Sequence, residues 1–461
     1  MTFLIYDSLT KKKQQFVPVD KNNVRVYACG PTVYNYAHVG NARMSVVTDL
    51  LIRVLKTIYK NVKFVSNITD VDDKIIEAAK KEKVKIEDIT SKFEKIYNQD
   101  MLELNVRLPD IQPKATEYIK EMIIMIEKLV QNQSAYISND NVIFNVKKYK
   151  HYGVLSRRTK DEQIAGSRIE VADYKKNPED FVLWKPSKED EPGWESPWGR
   201  GRPGWHIECS AMSEKCLKTP FDIHCGGVDL TFPHHENEIA QSCSLVANDC
   251  EPSEFSKYWF HNGFVTSNGE KMSKSLGNIK LVNDMLKEYS GPVIRLSLLS
   301  SHYRQPLDWS KKILDQSKKN ILRFSKVLKD IENKVDTNNL NQNDNDFIRA
   351  LYDDLNTPKA LAVLNGWFDD LKKNSSSNEN LVFLIKQALQ IFGLDIKRNQ
   401  STNTNITEEE KIMIEKMIQE REIARKNKDF RKADELREKL KEMRIFLDDT
   451  SGGTIWKKNE S

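Results

Sequence analysis

Val24-Arg25-Val26-Tyr27-Ala28-Cys29-Gly30-Pro31 is the stretch on which the fold turns. Its first six residues alternate and are β-rich, and Gly30-Pro31 breaks the run. Val46, Val47, Leu50, Leu51, Val54, Leu55 and Ile58 then recur at helical spacing, and Val62-Lys63-Phe64-Val65 reads as another strand. Strand, helix and strand in such short compass predict a parallel βαβ unit with a right-handed crossover. Nucleotide binding suits such a unit on topology alone.

Outward from that unit, residues from Asp88 to Gln133 read as two amphipathic helices. Ala135-Tyr136-Ile137 and Val142-Ile143-Phe144 flank Ser138-Asn139-Asp140-Asn141 as a β-hairpin. These read as an insertion, because α/β patterning then resumes: a strand at Phe221-Asp222-Ile223-His224, a turn at Gly226-Gly227 and a helix from Asn237 to Val246. Beyond Trp309, Ile313, Ile321, Leu322, Val327, Leu328 and Ile331 give long helical patterns, interrupted by an Asn/Asp-rich joint from Asn338 to Asp346. Lys397 to Asn405 is a polar linker, and Thr407 with Glu410 forms a capping box opening a last helix. The expected fold is α/β: a Rossmann-type parallel-sheet domain split by an insertion, then an α-helical bundle and a small C-terminal domain. The predicted boundaries are 1–115 and 201–262 for the two halves, 116–200 for the insertion, 263–308 for a connecting region, 309–396 for the bundle and 406–461 for the last domain.

Composition narrows the class. A chain of 461 residues can bury several cores, and no apolar run approaches the roughly 20 residues needed to cross a bilayer. The start, Met1-Thr2-Phe3-Leu4-Ile5-Tyr6-Asp7, is too short an apolar stretch for a signal peptide, so a cytoplasmic protein is expected. Six cysteines without dense spacing read as reduced thiols or metal ligands, not as a disulfide framework. A net charge of +5 permits a polyanionic partner without requiring one, and runs such as Lys11-Lys12-Lys13 read as solvated surface.

Three constellations carry chemistry. His38-Val39-Gly40-Asn41, after the first strand, places a turn and a helix start where backbone N–H groups can meet a phosphate. Lys271-Met272-Ser273-Lys274-Ser275 sits in a polar, glycine-bearing loop, where two lysines can neutralise a triphosphate as its charge rearranges. Cys29, Cys209, His234 and Glu238 form a mixed sulfur, nitrogen and oxygen set that suits zinc, with His234 and Glu238 one helical turn apart. Spacing alone does not separate those four from His206, Glu208, Cys216, Cys225, His235 and Glu236. Gly226-Gly227-Val228-Asp229 at a strand end can approach a ligand closely and offer a carboxylate to ribose hydroxyls, although an ordinary turn has the same composition.

The pairing of a His-x-Gly turn with a later Lys-Met-Ser-Lys-Ser loop resembles the two signature motifs of class I aminoacyl-tRNA synthetases. The cysteine-specific members are the best match, through Tyr27-Ala28-Cys29-Gly30-Pro31-Thr32-Val33-Tyr34, Asn67-Ile68-Thr69-Asp70-Val71-Asp72-Asp73-Lys74-Ile75, Pro203-Gly204-Trp205-His206-Ile207-Glu208-Cys209-Ser210-Ala211-Met212 and Phe232-Pro233-His234-His235-Glu236-Asn237-Glu238-Ile239-Ala240-Gln241-Ser242. Asp354-Leu355-Asn356-Thr357-Pro358 and Gly452-Gly453-Thr454-Ile455-Trp456 are similar to the anticodon-side region of the same family. The family's first motif usually ends in His, where this chain has Asn41, whose neutral amide still donates hydrogen bonds.

The resemblance implies ATP-dependent joining of L-cysteine to its tRNA through a cysteinyl-adenylate. It selects Cys29, Cys209, His234 and Glu238 as ligands of one zinc ion that reads the substrate thiol. It gives catalytic roles to His38, Asn41, Lys271 and Lys274, ATP contacts to His38, Gly40, Gly226, Gly227, Asp229 and Lys274, and substrate contacts to Gly30, Thr69 and Trp205. ATP is expected with Mg²⁺, and a monomer is expected. Candidate tRNA contacts are Arg421, Arg425, Lys426, Lys428, Arg431, Lys432 and Trp456, although acidic neighbours make a solvated helix face an equal reading. Two rivals remain: a ligase joining cysteine to an amino-sugar, expected to lack anticodon-side domains, and a non-catalytic binding protein of synthetase descent.

Overall fold

The computed structural model describes residues 2–159, 162, 173–267, 269–272, 277–329, 344–373, 379–396, 408–427, 429–443, 445–450 and 453–458. The chain forms two compact units, Met1–Asp395 and Ile396–Ser461.

At the centre of the first unit is a parallel four-stranded sheet in the order Ser256–Asn262, Phe221–Gly227, Val24–Ala28, Val62–Ser66. The predicted βαβ unit is its right half, with the helix Val39–Ile58 as crossover. Val24–Ala28 and Phe221–Gly227 are almost wholly buried, as strands covered on both faces must be, and the buried Asp222 is satisfied by accepting from Val19 N and Arg25 N. In register, Ala28 lies beside Cys225 and Ser66, so the two sequence halves meet along the middle of one sheet. Strand order departs in opposite directions from that middle pair, and a crevice at such a switch point is where open α/β sheets bind ligands. Two elements of this unit carry no clear sequence signal: the hairpin Leu4–Asp7 with Lys12–Gln15, and the edge strand Ser256–Asn262.

The insertion carries its own antiparallel sheet, Ala135–Ser138, Asn141–Phe144, Phe181–Pro186 and Gly201–Pro203, which therefore extends past residue 200. Asn139 and Asp140 have φ of 48° and 60°, the left-handed pair of a tight hairpin turn, which Asn and Asp tolerate. The two predicted amphipathic helices form as Ile86–Glu103 and Ile119–Gln131.

After the sheet, Val265–Ser267 pairs with Glu270–Lys271 and with Leu307–Asp308. Helices Lys311–Lys329, Asp346–Tyr352, Thr357–Lys373 and Glu379–Phe392 form the predicted bundle, with Phe324 and Phe368 stacked at 4.1 Å. A buried clamp ties the crossover helix to that bundle. Asp49 accepts from Arg53 at 2.6 Å and Arg295 at 2.5 Å. The two guanidiniums also donate to Gln390 O and Phe392 O, carbonyls left over at a helix end. Burial pushes the Asp49 carboxyl up, but Arg295 and Arg53 outweigh it and hold it below its ordinary value.

The second unit consists of Glu408–Lys426, Phe430–Glu442 and the hairpin Ile445–Thr450 with Gly453–Lys458, around Ile414, Ile418, Leu440 and Ile445. Most of the Asn338 to Asp346 joint, the Lys397 to Asn405 linker, Thr407, Lys428 and Gly452 lie outside the described residues, as do the side chains of Lys426 and Trp456.

Candidate active site

A cavity of about 750 Å³ opens where the two middle strands end. Cys29, Gly30 and Trp205 line its floor, His38, Gly40 and Asn41 one wall, Gly227 and Asp229 another, and Gly263, Phe264, Val265 and Met272 a third. Gly30 is required by close approach: a Cβ there would come 1.6 Å from Asn67 O. Gly226 is not in this lining. It packs on the His235 ring, whose Cε1 a Cβ would meet at 2.5 Å.

The first-motif turn is a helix start held by its own side chains. His38 Nδ1 accepts from Gly40 N at 3.1 Å and Asn41 N at 3.2 Å, and Asn41 Oδ1 accepts from His38 N at 3.1 Å. Asn41 thus closes a reciprocal capping box. Two donors on Nδ1 put the proton of the neutral ring on Nε2. The segment after the lysine loop docks here, with Val39 N donating to Lys280 O at 2.9 Å and Val282 N to Ala37 O at 2.8 Å. Lys271 ends the short strand Glu270–Lys271, its side chain outside the described residues, as are Ser273, Lys274 and Ser275.

At the floor, donor atoms of Cys29, Cys209, His234 and Glu238 lie within 4.8 Å of one another, all buried. Glu238 Oε1 is 3.4 Å from Cys29 Sγ and 3.1 Å from His234 Nε2. A tetrahedron with zinc bonds of about 2.0 to 2.3 Å has edges of roughly 3.3 to 3.8 Å, so these separations fit one with little adjustment. Glu238 Oε2 is buried without a hydrogen bond. Burial, then the neighbouring Cys209 and Glu238, pushes the Cys29 thiol well up, and burial raises Cys209 and Glu238 too. Donors so reluctant to ionise in the bare protein gain most from a divalent cation. The residues present therefore fit a zinc ion.

The donor atoms of a second set, Cys29, His224, His235 and Glu238, also lie within 4.8 Å of one another. It lies deeper: His224 stacks on Trp259 at 4.6 Å, and His235 Nδ1 is 2.7 Å from His261 Nε2. Burial lowers His224 and His235 well below ordinary imidazole values, and His261 to about 3, so these rings are neutral. His235 is among the open sequence candidates, whereas His224 and His261 carry no sequence signal, because each looks like a polar interruption of a strand. The other candidates sort by contact. His206 Nδ1 lies 2.9 Å from His234 Nδ1, Glu208 accepts from Thr69, Cys216 meets Tyr118, Cys225 faces Thr48, and Glu236 accepts from Gly153 N and Ser156 N.

Trp205 stacks on the His234 ring at 4.3 Å and so joins floor to cavity. Thr69 is less direct, its buried hydroxyl donating to Glu208 at 2.8 Å and accepting from Asn67 at 3.4 Å. Asn67, another residue without a sequence-assigned role, is a hub: its Oδ1 accepts from Gly30 N, Tyr27 and Cys209.

Residues 15–319 match a family model described as tRNA synthetases class I (C) catalytic domain, and residues 346–396 match the DALR domain. The chain is 48% identical to a cysteine-tRNA ligase of Parvibaculum lavamentivorans, over 98% of this chain and 97% of the relative. A cysteine-tRNA ligase of Saccharophagus degradans is 46% identical, over 99% and 100%. The chain belongs to the cysteine-tRNA ligase family. The ligase shares its fold with Mycobacterium tuberculosis methionyl-tRNA synthetase in complex with methionyl-adenylate, at a TM-score of 0.56 and 15% identity over 81% of this chain and 90% of that one. It shares it also with the LeuRS-tRNA-LeuAMS complex of Agrobacterium radiobacter, at 0.60 and 10% over 84% and 85%. As a class I aminoacyl-tRNA synthetase, the ligase takes an amino acid, ATP and tRNA. The match to a bundle-side domain and the full-length likeness to ligases argue against both rivals. Among its described residues no helix is long and apolar enough to cross a membrane.

Proposed function

We propose that the cavity activates L-cysteine with ATP and passes it to tRNA(Cys), and that Cys29, Cys209, His234 and Glu238 hold one zinc ion beneath the substrate. The observation carrying this is the convergence of those four donors under Trp205, at the floor of the cavity that the His38 turn walls. Of the two overlapping sets, this one is favoured because its His234 stacks on a cavity-lining residue, whereas His224 and His235 back onto Trp259 and His261. When bound, zinc supplies a centre that takes a thiolate and lowers the substrate thiol's pKa, a preference a serine hydroxyl does not share.

The chain's own residues position and neutralise. A carboxylate oxygen of cysteine attacks the α-phosphorus of ATP, the bond to the β-phosphate breaks, and pyrophosphate leaves. His38, through its ring Nε2–H, and the positive end of the helix face the phosphates, and Gly227 with Asp229 takes the ribose. Gly226 supports that wall through His235. Lys271 and Lys274 balance the charge on the departing pyrophosphate, with Mg²⁺ arriving on ATP. Asn41 acts through the His38 turn. Gly30 and Trp205 bound the cysteine pocket, and Thr69 acts through Asn67. A hydroxyl of the terminal adenosine of tRNA then attacks the adenylate carbonyl and AMP leaves. The bundle of 309–396 and the domain of 406–461 contact tRNA in this reading, and the ligase works as a cytoplasmic monomer.

Metal analysis paired with pyrophosphate exchange into ATP tests this. One zinc per chain is expected, with serine activated at least about 1000-fold less well than cysteine. A metal-stripped preparation that keeps its full preference for cysteine would overturn the metal reading.

A further inference from the structure

Arg43 lies on the helix Val39–Ile58, little more than a turn after His38, and is fully buried at 0% exposure. One terminal nitrogen donates to Gly263 O at 3.0 Å and Phe264 O at 2.8 Å. The other donates to Ser301 Oγ at 3.1 Å, His302 O at 3.2 Å and Gln305 O at 2.7 Å. Its Nε is buried without a partner. None of these five acceptors is a carboxylate. A buried guanidinium without an anion is costly, so its retention needs a reason beyond ion pairing. Burial lowers it only to about 10, leaving it cationic at neutral pH.

The reason lies in what the acceptors belong to. Gly263 and Phe264 line the cavity and lead directly into Val265–Ser267, whose antiparallel partner ends at Lys271. Their backbone sits so close to residues 304 and 305 that a Cβ on Gly263 would meet Gln305 O at 2.7 Å. Several carbonyl oxygens crowd together there, and a fork of donors aimed at all of them fixes their spacing. On its far side the same lysine-bearing segment returns to the first motif through the Lys280 and Val282 backbone bonds. Both flanks of that segment are therefore fastened to the first turns of one helix, one by backbone and one by Arg43.

We propose that Arg43 is a positioning residue for cysteine activation: its guanidinium sets the register between the His38 wall of the cavity and the Gly263–Phe264 wall from which the lysine-bearing segment springs. The role rests on the activation chemistry proposed above. It acts at the phosphate end and leaves the metal cluster untouched.

Arg43→Gln and Arg43→Lys in the full-length protein test it by cysteine-dependent pyrophosphate exchange, metal content and thermal melting. The glutamine variant should lose about 100-fold in kcat, the scale of a displacement near 1 Å, with cysteine KM within about twofold and zinc per chain unchanged. Lysine keeps the charge but not the fork and should recover about tenfold of that loss. If Arg43→Gln melts earlier yet retains kcat, or if both substitutions raise cysteine KM in step with metal loss, the positioning role is overturned while the reading of the site stands. A wild-type protein that exchanges no pyrophosphate overturns both. Should Arg43→Gln fail to fold, Ser301→Ala removes one acceptor only; a kcat lowered about threefold at constant cysteine KM supports the role, and an unchanged kcat ends it.

Discussion

The two ends of the cavity present different parts of the chain to a ligand. At the floor, Cys29, Cys209, His234 and Glu238 offer side-chain atoms, each buried and each drawn from a different turn of the polypeptide. At the other end, where the ATP phosphates are proposed to lie, the wall is a helix start, where His38 and Asn41 spend ring nitrogen and amide oxygen on each other's backbone. A side-chain floor depends on the identity of every donor. A backbone wall depends on shape, so it accommodates Asn41 in place of the family's usual histidine as long as the capping box closes.

The sharpest break in that contrast is Cys209→Ser, which should remove the metal and lower cysteine activation by about 1000-fold or more, read as zinc per chain and pyrophosphate exchange. Retained metal and activity would take Cys209 out of the donor set. Lys274→Ala should cost less, about 100-fold in kcat at unchanged cysteine KM and metal content, because it withdraws charge stabilisation from the transition state alone. A raised cysteine KM would place that lysine in substrate binding. The smallest effect concerns the packing beside the mouth. Asp100 is 2% exposed, accepts only weakly from Asn283 at 3.4 Å and leaves its Oδ2 unpartnered. Burial, aided by Glu103 and Asp284 against the Asn283 bond, raises it from 3.8 to about 6. A carboxyl raised on folding favours the folded state only while protonated, so its penalty grows as pH rises from near 4 to 6 and persists above. Asp100→Asn should therefore be more stable at pH 8 by about 2 kcal/mol and indistinguishable near pH 4, in chemical denaturation at both values. An equal gain at both values would trace the effect to packing.

The parallel sheet was legible because Val24–Ala28 alternates with β-branched and aromatic residues, Phe221-Asp222-Ile223-His224 alternates apolar with polar, and glycines follow both. Ser256–Asn262 escaped notice because its mixture of Ser, Lys, His and Asn with aromatics follows neither strand template, and only burial between Phe221–Gly227 and Asp7 makes it a strand. At the site, spacing could pair His234 with Glu238 across one turn and nothing more. Cys29 ends a strand and Cys209 sits inside the helix Trp205–Leu217, and no local pattern reports that their thiols converge. Arg43 and Asn67 show the same limit. Each looks like an ordinary polar residue until its acceptors or donors, hundreds or dozens of positions away, close around it.

The strand order has a consequence for biogenesis. Val24–Ala28 lies between Val62–Ser66, made soon afterwards, and Phe221–Gly227, made much later. A chain leaving the ribosome amino end first holds one side of its innermost strand unpaired while the intervening insertion is translated, a template for wrong pairing that shielding must cover. Because Glu238 trails every other member of the proposed donor set, a metal held by all four would be captured only after that gap has closed.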